Sequence, residues 1–121
     1  MEAAPTARDG LRALLAGSID VALSTKPGGC LLILGAVASL PASEIPRARL
    51  QGARRGTVAL IQARLQRGVD DGDLPPGTDA GALAAFFHGI LQAISFQARD
   101  GATREALRAL IDPALAALGA A

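Results

Sequence analysis

The side chains able to carry out acid–base, nucleophilic or metal chemistry are few in this sequence. His88 is the single histidine and Cys30 the single cysteine, so one chain cannot assemble the histidine and cysteine ligands that a zinc site requires. The pair could form a nucleophile and its base, but nothing in the sequence brings them together, and apolar surroundings keep a thiol unreactive. His88 follows Phe86 and Phe87, a setting typical of a hydrogen-bonded core histidine. We therefore expect no catalytic residue, no metal and no cofactor.

The acidic side chains fall at positions that structure alone explains. Three aspartates lie in one Gly- and Pro-rich loop, and three further acids stand at the starts of predicted helices: Asp70, Asp71, Asp73, Glu44, Asp79 and Glu105. Loop acids are solvated, and acids at a helix start stabilise the helix dipole. The loop spacing is not that of a calcium loop, and no glycine motif for binding phosphate is present. The sequence therefore predicts a protein that is not an enzyme.

One stretch has a local excess of positive charge. Six arginines lie between Glu44 and Asp70 with no acid among them: Arg47, Arg49, Arg54, Arg55, Arg64 and Arg67. They spread around the helix without interleaved aromatics, which favours a solvated helix over a surface for single-stranded nucleic acid. Arg47 and Arg54 continue the line of that helix's apolar stripe, so they are candidate contacts for an acidic ligand or a partner domain. Over the whole chain, 12 basic and 11 acidic residues nearly cancel, which gives no general bias toward nucleic acid.

The composition indicates that helices position these residues. Half of the residues are hydrophobic, mostly Ala and Leu, and the aromatic residues are three Phe, a balance that favours helices over strands. The patterns predict five helices: from Thr6 to about Ala22, Cys30 to about Ser39, Ser43 to about Val69, Thr78 or Asp79 to about Arg99, and Thr103 to Leu118. A strand is the alternative for the second of these, and Pro113 should kink the last. We expect an all-α, five-helix orthogonal or bundle arrangement in a single domain over residues 1–121.

The fourth predicted helix is the most informative segment. It carries no charged residue from Ala80 to Ala98, so it should be buried on nearly all sides. Five helices of this size cannot easily cover it, so a second copy would complete a four-helix bundle from the last two helices of each chain. His88 and Gln92 make the segment too polar for a membrane span. With a lone cysteine and no signal peptide, we expect a soluble cytoplasmic homodimer that does not contact the membrane.

Three motifs resemble one known family. The segment Gly29–Ala36 resembles the "GCLL" start of an internal helix in TetR/AcrR-type transcriptional regulators. Arg64–Gly68 followed by Asp71–Pro75 is similar to the family's "R-x-x-x-G…E-G-D-L-P" helix end, and Leu91–Ala102 resembles its "LQGLxxQARDGA" segment, with Ala93 in place of the usual glycine. The motifs have the same order and spacing as in the family and together cover roughly residues 10–118.

The resemblance implies the C-terminal, effector-binding and dimerisation domain of a TetR-like repressor. A small apolar effector would bind in its core, and DNA would be bound only through an N-terminal helix-turn-helix domain that this chain lacks. The expected ligand-binding residues are Leu15, Ser18, Cys30, Leu34, Ile61, Leu65, Phe87, His88, Leu91 and Gln92. The expected dimer interface comprises Leu83, Phe86, Ile90, Ile94, Gln97, Leu107, Leu110, Ile111 and Leu118. The alternative is a standalone dimeric helical interaction protein that binds no ligand.

Overall fold

The helices follow one another in the order that the sequence predicts. The computed structural model describes residues 1–24 and 44–119. Within these ranges all regular secondary structure is helical, in five elements: α1 (Ala7–Ser24), α2 (Glu44–Asp70), α3 (Ala80–Arg99), α4 (Arg104–Arg108) and α5 (Ile111–Ala116). The predicted helix from Cys30 to Ser39 lies outside the described residues. The all-α fold class is confirmed.

Helix α1 begins at the cap that the sequence predicts. The hydroxyl of Thr6 accepts a hydrogen bond of 3.1 Å from the backbone N–H of Asp9, which satisfies one of the free donors at the helix start. Leu11, Leu15 and Ile19 follow at intervals of four residues and are fully buried. That spacing places them on one face of the helix, which makes α1 one wall of the core.

Helix α2 ends in a glycine-dependent turn. Gly72 has a φ of +84°, in the left-handed region that glycine occupies without steric cost. The carbonyl of Gly68 accepts hydrogen bonds from the backbone N–H groups of Asp73 and Leu74, which satisfies a carbonyl that the helix itself leaves unpaired. Further back along α2, Ile61 and Leu65 are fully buried.

Helix α3 crosses the middle of the fold and packs against both α1 and α2. The Asp79 carboxylate caps it by accepting a hydrogen bond of 3.0 Å from the Ala82 N–H, and Gly101, at a φ of +96°, follows its end. Its inner face is apolar and buried, with Phe87 and Ile94 fully enclosed. Helix α3 is long enough and apolar enough to cross a membrane, judged by length and composition alone. Core helices of soluble proteins also meet these two criteria.

The last predicted helix is interrupted. Instead of one kinked helix from Thr103 to Leu118, α4 and α5 are separated by a turn at Ala109 and Leu110. Pro113 explains the break, because it has no N–H to donate to the Ala109 carbonyl and its ring would clash with that carbonyl in a continuous helix. Both short helices pack against α1.

Candidate functional site

Most of the predicted ligand-binding residues lie in the packed core. Leu15, Ile61, Leu65 and Phe87 are fully buried and Leu91 is 9% exposed, and all five belong to one cluster of core side chains. The structure therefore brings them together, but as mutually packed core residues. Cys30 and Leu34, also predicted for this site, lie outside the described residues.

The three polar candidates are half-buried. Ser18 lies on α1, whereas His88 and Gln92 lie on α3. His88, one of the predicted ligand-binding residues, lines a cleft among the described residues. It is therefore the polar group around which a binding site can be built.

The cleft at His88 lies between α2 and α3. It is open to solvent, has a volume of about 420 Å³, and is lined by Gln51, Arg54, Arg55 and Val58 from α2 and by His88 from α3. That volume lies within the range of small-molecule sites, which is about 300–1,000 Å³. Four of the five lining side chains are polar or charged and one, Val58, is apolar, although the hydrocarbon parts of these side chains make the lining surface more apolar than polar.

Two nitrogen atoms at this cleft lack hydrogen-bond partners. Nη1 of Arg54 and Nε2 of His88 are both buried, and neither has a partner among the described residues. Burial of the His88 ring lowers its pKa below the usual value of 6.5, and the nearby positive charge of Arg54 lowers the pKa further. Both effects disfavour the charged imidazole. Among the described residues nothing pairs with Nη1 of Arg54, which is a donor, or with Nε2 of His88, which in the neutral ring is a donor or an acceptor depending on the tautomer.

Sequence reasoning identified part of this cleft. It named His88 as a ligand-binding residue and Arg54 as a candidate contact, but it missed Gln51, Arg55 and Val58 as lining residues. The signal that points to them is the run of arginines without an acid, which indicates a surface whose positive charge is not neutralised along its own helix. Arg47, the other arginine singled out, lies in a part of α2 whose side chains are outside the described set.

The predicted dimer residues divide by burial. Ile94, Leu107, Ile111 and Leu118 lie in the core of a single chain, with exposed fractions from 0% to 8%. Both α4 and α5 contact α1, and these apolar residues of the last helices are buried within one chain. Leu83, Ile90 and Leu110 are half-buried and pack against that core. Phe86 and Gln97 are exposed.

The outward face of α3 is uncharged along almost its full length. Phe86, Gly89, Ala93 and Gln97 follow one another at spacings of three or four residues, so they share one face. Phe86 is 41% exposed, and its ring meets that of Phe87 edge to face with centroids 5.3 Å apart. A Cβ atom added at Gly89 would meet nothing within 4 Å, so this glycine leaves a shallow depression beside the aromatic ring.

Metal binding has no candidate in the described part of the chain. Among those residues no group of three or more His, Cys, Asp or Glu side chains lies close enough to hold an ion. The loop aspartates have other partners: Asp73 accepts from the Ala7 N–H, and Asp71 pairs with Arg67 at 3.6 Å.

The sequence and the fold are both similar to known proteins. Residues 7–112 match the family described as Tetracyclin repressor-like, C-terminal domain. Two similar solved structures are cysteine-substituted forms of the TetR family transcriptional regulator CifR, each complexed with 26-bp double-strand operator DNA. Their TM-scores are 0.88, with 38% and 35% identity over 96% and 97% of this chain. This chain covers 61% and 62% of theirs. No curated protein matches the sequence.

Proposed function

Because the chain belongs to the TetR family of transcriptional regulators and matches the C-terminal domain of that family, we propose that it binds a small effector and pairs with a second copy of itself. Regulators of this family are transcription factors and not enzymes. The observation that carries the proposal is that two opposite faces of α3 are accessible. His88 lies at the cleft on one side of the helix, whereas Phe86 is exposed on the other.

A shared helix supplies a mechanism for control. An effector in the cleft would touch α2 and α3 together, so it would favour one relative arrangement of these helices over another. A ligand shifts such an equilibrium only as far as its affinities for the two arrangements differ. Since α3 also forms the pairing surface, the shift would reach the second copy. In the whole protein, a helix-turn-helix domain would carry out DNA binding in the cytoplasm, and residues 1–121 would form one effector-binding unit.

The proposed pairing surface is smaller than the one predicted from the sequence. It keeps the residues that remain at least partly accessible in one chain: Leu83, Phe86, Ile90, Gln97 and Leu110. Exposed aromatic side chains on an uncharged surface are typical of interfaces between proteins. Ile94, Leu107, Ile111 and Leu118 are not part of this surface, because their side chains are buried within one chain and expose little area to a partner.

Gly89→Arg tests the pairing surface without disturbing the fold of one chain. Its Cβ meets no atom, and arginine favours a helix over glycine by up to about 1 kcal/mol, so the variant should fold. Native mass spectrometry at about 10 µM protein should then show two chains for the parent and one for the variant, since pairing depends on protomer concentration.

Gly17→Arg is the matched control. Gly17 is also an exposed helical glycine with no atom near its added Cβ, but it lies on α1, away from the proposed surface. This control should remain a dimer. A parent that is a monomer, or a Gly89→Arg variant that stays a dimer, would refute pairing through this face.

Ligand binding is tested by thermal unfolding against a panel of small molecules. A compound that binds only the folded chain must raise the melting temperature. A dimer that no compound stabilises would support the alternative, a helical interaction protein whose core is full.

A further inference from the structure

The cleft between α2 and α3 is lined by two side chains whose nitrogen atoms have no partner among the described residues. Arg54 Nη1 and His88 Nε2 are buried at the same cleft without a partner in the described chain. A buried donor left unpaired costs about 1–3 kcal/mol, and a bound oxygen atom would recover part of that. Both atoms belong to side chains that line the cleft, but the atoms themselves are shielded from solvent, so a ligand group meets them only when these side chains turn toward it.

The charge around the cleft has a consistent sign. Helix α2 has no acid between Glu44 and Asp70, and α3 has none at all. In the described part of the chain, Arg12, Arg67 and Arg104 each pair with an aspartate. Arg54 and Arg55 make no ion pair there, although both line the cleft. The described residues therefore supply cations at this place and no anion that neutralises them.

The lining also includes one apolar surface. Val58 is half-buried and packs at the edge of the core, one turn along α2 from Arg54. A ligand with an acidic group at one end and a hydrocarbon body would place the former at Arg54 and the latter at Val58. An inorganic anion would bind Arg54 without using Val58, and a neutral apolar molecule would contact Val58 without using the charge of Arg54.

We propose that this cleft binds a small organic carboxylate, whose oxygens accept hydrogen bonds from Arg54 Nη1 and His88 Nε2–H while its hydrocarbon part rests on Val58. Arginine suits a carboxylate because its planar guanidinium can donate two parallel hydrogen bonds. A neutral histidine can carry its proton on either nitrogen, so Nε2 can be the donor. The inference rests on the proposed effector-binding role and gives the effector a chemical class, an acid with a hydrocarbon part. The sequence analysis expected an apolar effector but named Arg54 as a candidate contact for an acidic ligand.

The experiment compares acids with amides of the same shape. Hexanoate and benzoate, and the neutral hexanamide and benzamide, are titrated into the dimeric chain up to about 20 mM, where even binding weaker than 1 mM is detected. The readout is the imidazole NMR signal of His88, which is unambiguous because the chain has one histidine. Both acids should give saturable shifts, and the amides should bind at least about tenfold more weakly.

Two substitutions locate the site. Arg54→Gln should weaken acid binding about tenfold or more, because truncating one partner of a charge-assisted pair costs more than 1.4 kcal/mol, which is a factor of ten. Arg49→Gln removes the same charge from the same helix at an exposed position outside the cleft and should leave acid binding within about twofold, since exposed charges are screened.

Each other outcome contradicts the carboxylate proposal in its own way. Acids that give no saturable shift, or amides that bind as well as acids, would overturn it. In the second case the effector-binding function would stand with a neutral ligand. Inorganic phosphate that binds as tightly as hexanoate would show an unspecific anion site without a role for Val58. Equal losses in Arg54→Gln and Arg49→Gln would mean that only net charge matters. If native mass spectrometry instead shows that the parent chain is a monomer, that result counts against the proposed function and not against the carboxylate site.

Discussion

The carboxylate of Asp73 accepts a hydrogen bond of 2.7 Å from the backbone N–H of Ala7. This contact joins the first residue of α1 to the loop that follows α2. The Ala7 N–H is one of the donors that a helix start leaves unpaired, and a negative charge at that end also stabilises the helix dipole. The junction sets the position of α1 against α2 at the end opposite the cleft.

Asp73→Ala should lower the free energy of unfolding by about 1–2 kcal/mol, because the change removes a helix cap and leaves a half-buried donor unpaired. Chemical denaturation measures the loss. Asp71→Ala is the control in the same loop: it breaks an exposed ion pair with Arg67 of 3.6 Å, which is worth less than about 1 kcal/mol. Equal losses in the two variants would show that the hydrogen bond to Ala7 adds no stability of its own.

Gly68→Ala should destabilise the same junction. An added Cβ would lie 2.8 Å from the Ala7 Cβ and 2.7 Å from Asp73 Oδ1, so α1 or the loop must move, at a cost of about 1–3 kcal/mol. Gly56→Ala, on the same helix with nothing within 4 Å, should instead stabilise by up to about 1 kcal/mol through helix propensity. Denaturation curves of the two variants should shift in opposite directions, and a shift in the same direction would contradict this packing.

Neighbouring phenylalanines should respond differently to truncation. Phe87→Ala should cost about 3–5 kcal/mol, because the ring is fully enclosed and its removal leaves a cavity. Phe86→Ala should cost only about 1 kcal/mol in the monomeric Gly89→Arg background, mainly through the lost edge-to-face contact. In the parent chain the same change should also weaken pairing, seen as a larger monomer fraction on dilution. Similar losses for both in the monomer would mean that Phe86 is a core residue.

Amphipathic periodicity was sufficient to predict that α1, α2 and α3 are helices. Leu11, Leu15 and Ile19 share a face by spacing alone, and the structure buries all three. Periodicity does not say what covers a face, however. Leu107 and Ile111 were predicted to meet a second chain, whereas the structure packs both in the core of one chain. That outcome depends on tertiary packing, which local sequence patterns do not contain.

Long-range polar contacts were also beyond the sequence. Arg64 is 3% exposed, and its guanidinium donates hydrogen bonds to the carbonyl oxygens of Met1 and Ala4 at 3.3 and 3.0 Å. As one of six arginines on a helix, it gave no sign of being buried. Arg54, another of the six arginines, was predicted as a contact because it is aligned with the apolar stripe. Its position in a cleft with His88 depends on how α2 packs against α3, which the sequence does not show.

The titration of His88 links the cleft to pH. Its pKa is lowered, first by burial and then by Arg54, so an NMR titration of the imidazole should have its midpoint below 6.5. The folded chain therefore resists a proton that the unfolded chain accepts, and the contribution to stability is present above pH 6.5 and is lost as the pH falls. Arg54→Gln should raise the midpoint without restoring 6.5, because burial remains. Arg49→Gln should leave it unchanged, and saturating hexanoate should raise it, since a bound anion favours the charged ring. A midpoint that does not move in Arg54→Gln would show that this guanidinium does not act on the pKa of His88.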